Sequence, residues 1–177
     1  MIDFQIPFPM KAAILAIFSI ALASCAGYGL GGSKPPSLAN VRSIAVPMFG
    51  NATLEPRAEA LATSAVADAL VQDGTYRLAD RGEADAVLEG KLQGIKYSTL
   101  RSSRLDSLLA EELTNEVRID WVLRDAKDPT KVLASGSSQG HSSFFVDSNL
   151  QAARRNALPD AFGRAGRNLV ARLASGF

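Results

Sequence analysis

Thr114-Asn115-Glu116-Val117-Arg118-Ile119-Asp120-Trp121-Val122-Leu123-Arg124-Asp125 alternates along its length. Val117, Ile119, Trp121 and Leu123 share one face; Glu116, Arg118, Asp120 and Arg124 share the other. A period of two predicts a β-strand. One dry face and one wet face predict a sheet that helices cover on a single side.

The neighbouring segments fit such a sheet. Ala84 to Tyr97 reads as a second long strand, with Ala86, Leu88, Gly90 and Leu92 in phase. The phase then slips, since Ile95 and Tyr97 take odd positions, and Gly94 at the slip predicts a β-bulge. Asp128-Pro129 predicts a hairpin turn into a strand over Lys131 to Gln139. Ser98 to Leu113 begins polar, with one helical turn expected near Leu108 to Leu113. Upstream, Val41 to Phe49 reads as a strand ending at or near Pro47, which cannot donate to a ladder. Tyr76 to Ala79 reads as a short one.

Two segments have helical spacing. From Pro56 to Asp73, the residues Ala58, Leu61, Ala62, Ala65, Val66, Ala69 and Leu70 form one stripe, and Gly74 is placed to stop the helix. From Ala157 to Ala174, capped by Asn156, the stripe is Leu158, Phe162, Ala165, Leu169 and Leu173. The expected fold is a two-layer α/β (α+β) sandwich. It has a mixed, mostly antiparallel sheet of about four strands, with both helices packed on one face. Trp121, Leu61, Val66 and Phe162 are expected to share its core.

Residues 1–24 read as a targeting segment. Lys11 precedes the apolar run Ala12 to Leu22, which is too short for the roughly 20 residues of a membrane span. Met1 to Pro9 carries Asp3, two prolines and no cation, so translation is expected to start at Met10. Leu22-Ala23-Ser24-Cys25 resembles a bacterial lipobox, with Cys25 as the lipid attachment point. The plain alternative is an ordinary cysteine in a cleavable signal. Ala26 after the cysteine, in place of Asp, favours export to the outer membrane. Residues 25–40 read as a lipidated Gly/Pro tether, and 41–177 as a single domain.

Composition excludes much else. The chain has 177 residues, 19 Lys+Arg against 18 Asp+Glu, and a net charge of +1, without the basic excess of a nucleic-acid binder. One Cys and one His leave no Cys or His cluster for a metal and little for acid–base catalysis. His141-Ser142-Ser143 lacks any nucleophile elbow, and Glu111-Glu112 reads as a solvated pair. The reading is a non-enzyme with no cofactor and no metal.

The order of pieces resembles the LPS-assembly lipoprotein family (LptE-like). The carriers are the Cys25 lipobox with Gly27-Tyr28-Gly29-Leu30, then Val41 to Thr53. Gly74-Thr75-Tyr76-Arg77-Leu78, Ala84 to Gly90 and Leu169-Val170-Ala171-Arg172-Leu173 follow. The resemblance implies a lipid-anchored protein at the periplasmic face of the outer membrane. It implies that the protein binds lipopolysaccharide (LPS) and plugs an LptD-like β-barrel, supporting barrel assembly and LPS delivery. Phosphates of lipid A need exposed cations. The candidates are Lys91, Lys96, Arg101 and Arg104 along one strand end and loop, and Arg154 before the last helix. Any one of them also reads as ordinary surface charge. Phe144-Phe145 is a candidate acyl or barrel contact, and equally part of the core. A second family-level resemblance covers Ile44 to Asn51, the Ala-rich helix and Gly74 to Arg81. It points to lipoproteins that activate peptidoglycan synthases, or to curli-secretion and TolB-like modules.

Overall fold

The computed structural model describes residues 34–101, 112–145 and 149–176. The expected targeting segment, Cys25 and most of the expected tether lie outside these residues, as does the start of the helical turn expected over Leu108 to Leu113, whose last residues, Glu112 and Leu113, are instead strand.

Six strands form one mixed sheet: β1 (Ser43–Ala45), β2 (Gly50–Asn51), β3 (Arg77–Leu78), β4 (Ala86–Arg101), β5 (Glu112–Asp125) and β6 (Val132–Phe145). The order is β3-β1-β4-β5-β6, and β2 pairs with β4 further along the same edge as β1. The sheet is therefore larger than the four strands expected. Of Val41 to Phe49 only β1, before Pro47, is strand, and β2 lies just beyond the segment. Phe49, not Met48, enters the core. β1 is parallel to both β3 and β4, and helix α1 (Ala58–Asp73) makes the crossover to β3. β4, β5 and β6 form an antiparallel meander.

The alternation of β5 survives intact: Val117, Ile119, Trp121 and Leu123 are buried, and Arg118 is exposed. The register between β4 and β5 jumps from Leu92 to Gly94, which leaves Gln93 as the extra residue of a bulge.

Helix α1 starts two residues later than Pro56 because Arg57 sits at φ 66°, in the left-handed region. Gly74 (φ 73°) ends it as expected. Ala58, Ala62, Val66, Ala69 and Leu70 are buried, but Leu61 is 38% exposed, which corrects its assignment to the core. Helix α2 (Leu150–Ser175) begins seven residues before Ala157. Asn149 caps it, accepting a hydrogen bond from the Ala152 N–H at 3.0 Å. Pro159 therefore lies inside the helix, on its exposed side, where only one backbone hydrogen bond is lost.

Both helices cover one face. α2 lies across β6 and β5 and packs on α1. Small residues let it approach: Ser138, Gly140 and Ser142 are the inward residues of β6. A Cβ on Gly140 would run into the backbone of Ala161 and Ala165, and one on Gly166 would lie 2.7 Å from Ala65 O. Ser138 Oγ donates to Ala165 O at 2.6 Å, tying strand to helix.

Residues 34–40 are part of the fold, not free tether. Leu38 is 1% exposed, Lys34 Nζ stands 4.5 Å over the Tyr76 ring, and the buried Tyr76 hydroxyl donates to Leu173 O at 2.7 Å. Burial raises the Tyr76 pKa, with Asp73 adding to it.

Candidate functional site

With both described helices on one face, the other face of the β4–β5–β6 meander carries no helix among the described residues. Lys91 sits opposite Asp120, and Lys96 opposite Glu116. Simple alternation would put residues 91 and 96 on opposite faces. The extra residue at Gln93 reverses the phase, so both lysines join Glu116, Arg118 and Asp120 on the open face. Glu89 pairs with Arg124 at 3.1 Å, and Arg118 with Asp120 at 3.3 Å. These are exposed pairs, each worth about 0–1 kcal/mol, so they make the face hydrophilic without holding the fold together. Gly90, Trp121 and Gly136 run across the sheet in register, and an open hollow lies over them between Glu89 and Ser137. His141, opposite Glu116, and the 65% exposed Phe145 extend the face along β6.

Arg154 is not beside the lysines. The early start of α2 moves it from the expected loop onto the helix, on the covered side of the sheet. Its guanidinium stacks 4.5 Å over the Tyr97 ring, a cation–π contact. Burial raises the Tyr97 pKa, Glu55 adds to the rise, and Arg154 opposes it. Beside Tyr97 in register, Asn115 is fully buried, with Ser142 Oγ 2.6 Å from its Oδ1 and 2.7 Å from Ala157 O. A hydroxyl has one proton. With that proton on Ala157 O, the Asn115 amide satisfies Ser142 by turning its NH₂ towards it.

The structure thus brings Lys91 and Lys96 together and places Arg154 behind the same strand. Arg101 closes β4, and Arg104 lies outside the described residues. Sequence reading missed the Tyr97–Arg154 stack. Its only trace was Tyr97 following the bulge in phase with Ile95. Ser142 is buried and hydrogen-bonded into the core, and His141 faces the opposite side of β6. Phe144 is partly buried, and Phe145 is out in solvent.

Among the described residues no His, Cys, Asp and Glu side chains converge in a group able to hold a metal. None of the described helices is long and apolar enough to cross a membrane.

Several solved structures are similar. A minor lipoprotein from Acinetobacter baumannii matches at 9% identity and TM-score 0.49, over 77% of this chain and 94% of that one. Lipoprotein GNA1162 from Neisseria meningitidis matches at 17% identity and TM-score 0.42, over 65% and 92%. The PelC dodecamer from Paraburkholderia phytofirmans matches at 20% identity and TM-score 0.42, over 76% and 93%. No curated protein sequence matches the chain. The family model for lipopolysaccharide assembly, LptE, matches residues 41–173, from two residues before β1 almost to the end of α2. The chain belongs to the LptE lipopolysaccharide-assembly family.

Proposed function

We propose that this protein is an outer-membrane lipoprotein, acylated at Cys25, that binds LPS and seats inside an LptD-like β-barrel. Residues 1–24 are removed in this reading, translation starts at Met10, and the tether runs from Cys25 to about Ser33. The observation that carries the reading is the face of β4–β6 that no helix covers among the described residues. Strands of about 14 residues span roughly 45 Å, and this face presents Glu89, Lys91, Lys96, Glu116, Arg118, Asp120 and Arg124 along that length. The interior of a membrane barrel is polar and wet. A rigid sheet whose helices seal the core on one side, and whose other side carries charges of both signs along its length, suits such a lumen.

Lys91 and Lys96, on one face, are the phosphate contacts best supported by position. Arg101, Arg104 and Arg154 are the further candidate cations. A charge-assisted hydrogen bond contributes about 1.5–3 kcal/mol, so losing two weakens LPS binding at least about tenfold. The test compares Lys91→Glu/Lys96→Glu with Arg101→Glu/Arg104→Glu in binding to purified LPS, and measures recovery of the barrel from native membranes. Loss of LPS affinity with the barrel retained is expected. A wild-type protein that neither binds LPS nor co-purifies with a barrel removes the reading. A peptidoglycan synthase in its place moves the protein to the second group of lipoproteins named above. Mass spectrometry of the mature N-terminus tests Cys25: an unmodified residue there rejects the anchor.

A further inference from the structure

β2 accompanies β4 only at Lys91 and Leu92, and the pairing ends with the Ala52 N–H on Leu92 O at 2.9 Å. From Gly94 to Arg101, β4 has β5 on one side and, among the described residues, no strand on the other. Natural sheets rarely leave such an edge unprotected. The opposite edge of this sheet is covered: Asn168 Nδ2 donates to Gln139 O at 2.8 Å, and Arg172 Nη1 to Ser137 O at 3.0 Å. Where β2 leaves β4, the segment Ala52–Glu55 turns away and opens a cleft of about 360 Å³ against Gln93, Gly94, Ile95 and Tyr97. Leu54, on its rim, is fully exposed at 102%.

We propose that this free edge of β4 receives an extended, carboxylate-bearing segment of another protein as an added strand. From Gly90 to Arg101 the chain holds Lys91, Lys96 and Arg101 and no acid. Lys91 and Lys96 are exposed, and Arg154 backs Tyr97 on the other face. The acids of β5, Asp120, Glu116 and Glu112, stand one strand further in opposite Lys91, Lys96 and Arg101, Glu89 lies before the unpaired stretch, and Glu55 lies at the cleft end only. A second copy would set one basic edge against another, so the fitting strand is acidic opposite Lys96 and apolar opposite Ile95 and Leu54.

The edge has a distinct signature. Leu92 O points away from β5, and the bulge at Gln93 restarts the alternation. Ile95, Tyr97 and Thr99 therefore direct their N–H groups outward, while Lys96 and Ser98 bond to β5. The experiment is amide hydrogen exchange on the full chain in detergent, with a synthetic peptide alternating Val and Glu and its Val–Lys counterpart as probes. The expected result is rapid exchange at Ile95, Tyr97 and Thr99 in the free protein, slowed at least about tenfold by the Glu peptide alone. Lys96 and Ser98 stay slow throughout. Lys96→Glu weakens the Glu peptide about threefold or more and favours the Lys peptide. Thr99→Pro, which removes an outward N–H, abolishes the added protection at that end. Odd-numbered amides already slow in the free protein overturn the proposal, as does equal binding of both peptides. So does protection that rises with protein concentration without peptide, which identifies a second copy.

Discussion

Gly140 is where helix and sheet come closest, and replacing it by Ala tests the packing of the whole molecule. The added Cβ meets Ala161 O and Ala165 N, both backbone atoms of α2. No rotamer change relieves such a contact, so α2 must lift off β6. Overpacking of this kind costs about 1–3 kcal/mol. Lifting also strains two strand-to-helix hydrogen bonds, Ser138 Oγ to Ala165 O and Ser142 Oγ to Ala157 O, each worth about 1 kcal/mol. The expected loss is about 3–5 kcal/mol out of a total of roughly 5–15. Two other strand glycines serve as controls. A Cβ on Gly136 meets only the Trp121 indole, at 2.8 Å, which can shift, for a loss of about 1–2 kcal/mol. A Cβ on Gly94 meets nothing within 4 Å, and Gly94→Ala should stabilise the strand by about 0.5 kcal/mol. Urea unfolding followed by far-UV circular dichroism ranks the three. A Gly140→Ala protein as stable as Gly94→Ala would refute the close approach of α2 to β6.

Leu61→Asp should cost no more than about 1 kcal/mol, because Leu61 is exposed, whereas Phe162→Ala, at a fully buried site, should cost about 3–5; thermal melts compare them. Tyr76→Phe should lose about 1–2 kcal/mol by leaving Leu173 O without its buried donor, read by the same melts. The Asp85 carboxylate accepts the Arg42 N–H at 2.9 Å, then the Ser43 hydroxyl and N–H at 3.0 Å each, and these bonds hold its pKa below the ordinary value. A lowered carboxylate pKa stabilises the fold above its unfolded value of about 3.9, and that contribution fades as pH falls through the folded value. Asp85→Asn should therefore destabilise at pH 7 by about 1–2 kcal/mol, a small figure because the site is exposed, and should flatten the stability loss below about pH 4 in acid titration.

The long strands were legible because their neighbours agree with them. Every second residue of β5 meets a dry layer, and the slip at Gly94 marks a bulge that the register reproduces. The short parallel strands were not legible. β1 is flanked on both sides and buries Ser43, Ile44 and Ala45 together, so alternation says nothing there. Ser43 lies buried because Asp85 takes up its hydroxyl and N–H, a partnership 42 residues apart. Nor does the helical pattern fix the length of α2. Pro159 reads as a first-turn residue, yet Asn149 supplies the cap and the first turns pack Arg154 onto Tyr97. Leu61 matches the stripe of α1, but the small residues around it leave the groove at Gly163 too shallow to cover it.

The candidate site depends on one inserted residue. Without Gln93 as the extra member of β4, Lys96 would point towards α2 and Tyr97 towards solvent. The open face would lose a cation, and Arg154 would lose the ring it stacks on. The bulge also falls where β2 ends, so Lys96 and Arg101 lie in the segment that, among the described residues, has no strand on its outer edge, whereas Lys91 still pairs with β2. Bulges twist and bend the strand that bears them, which turns the far end of β4 away from the line of β1 and β2. The strand beyond the bulge adds little to the core beyond Ile95 and the stack on Tyr97. Among the described residues, what it adds is the exposed Lys96 and an outer edge that no strand pairs, the two features on which the proposed docking of an added strand rests.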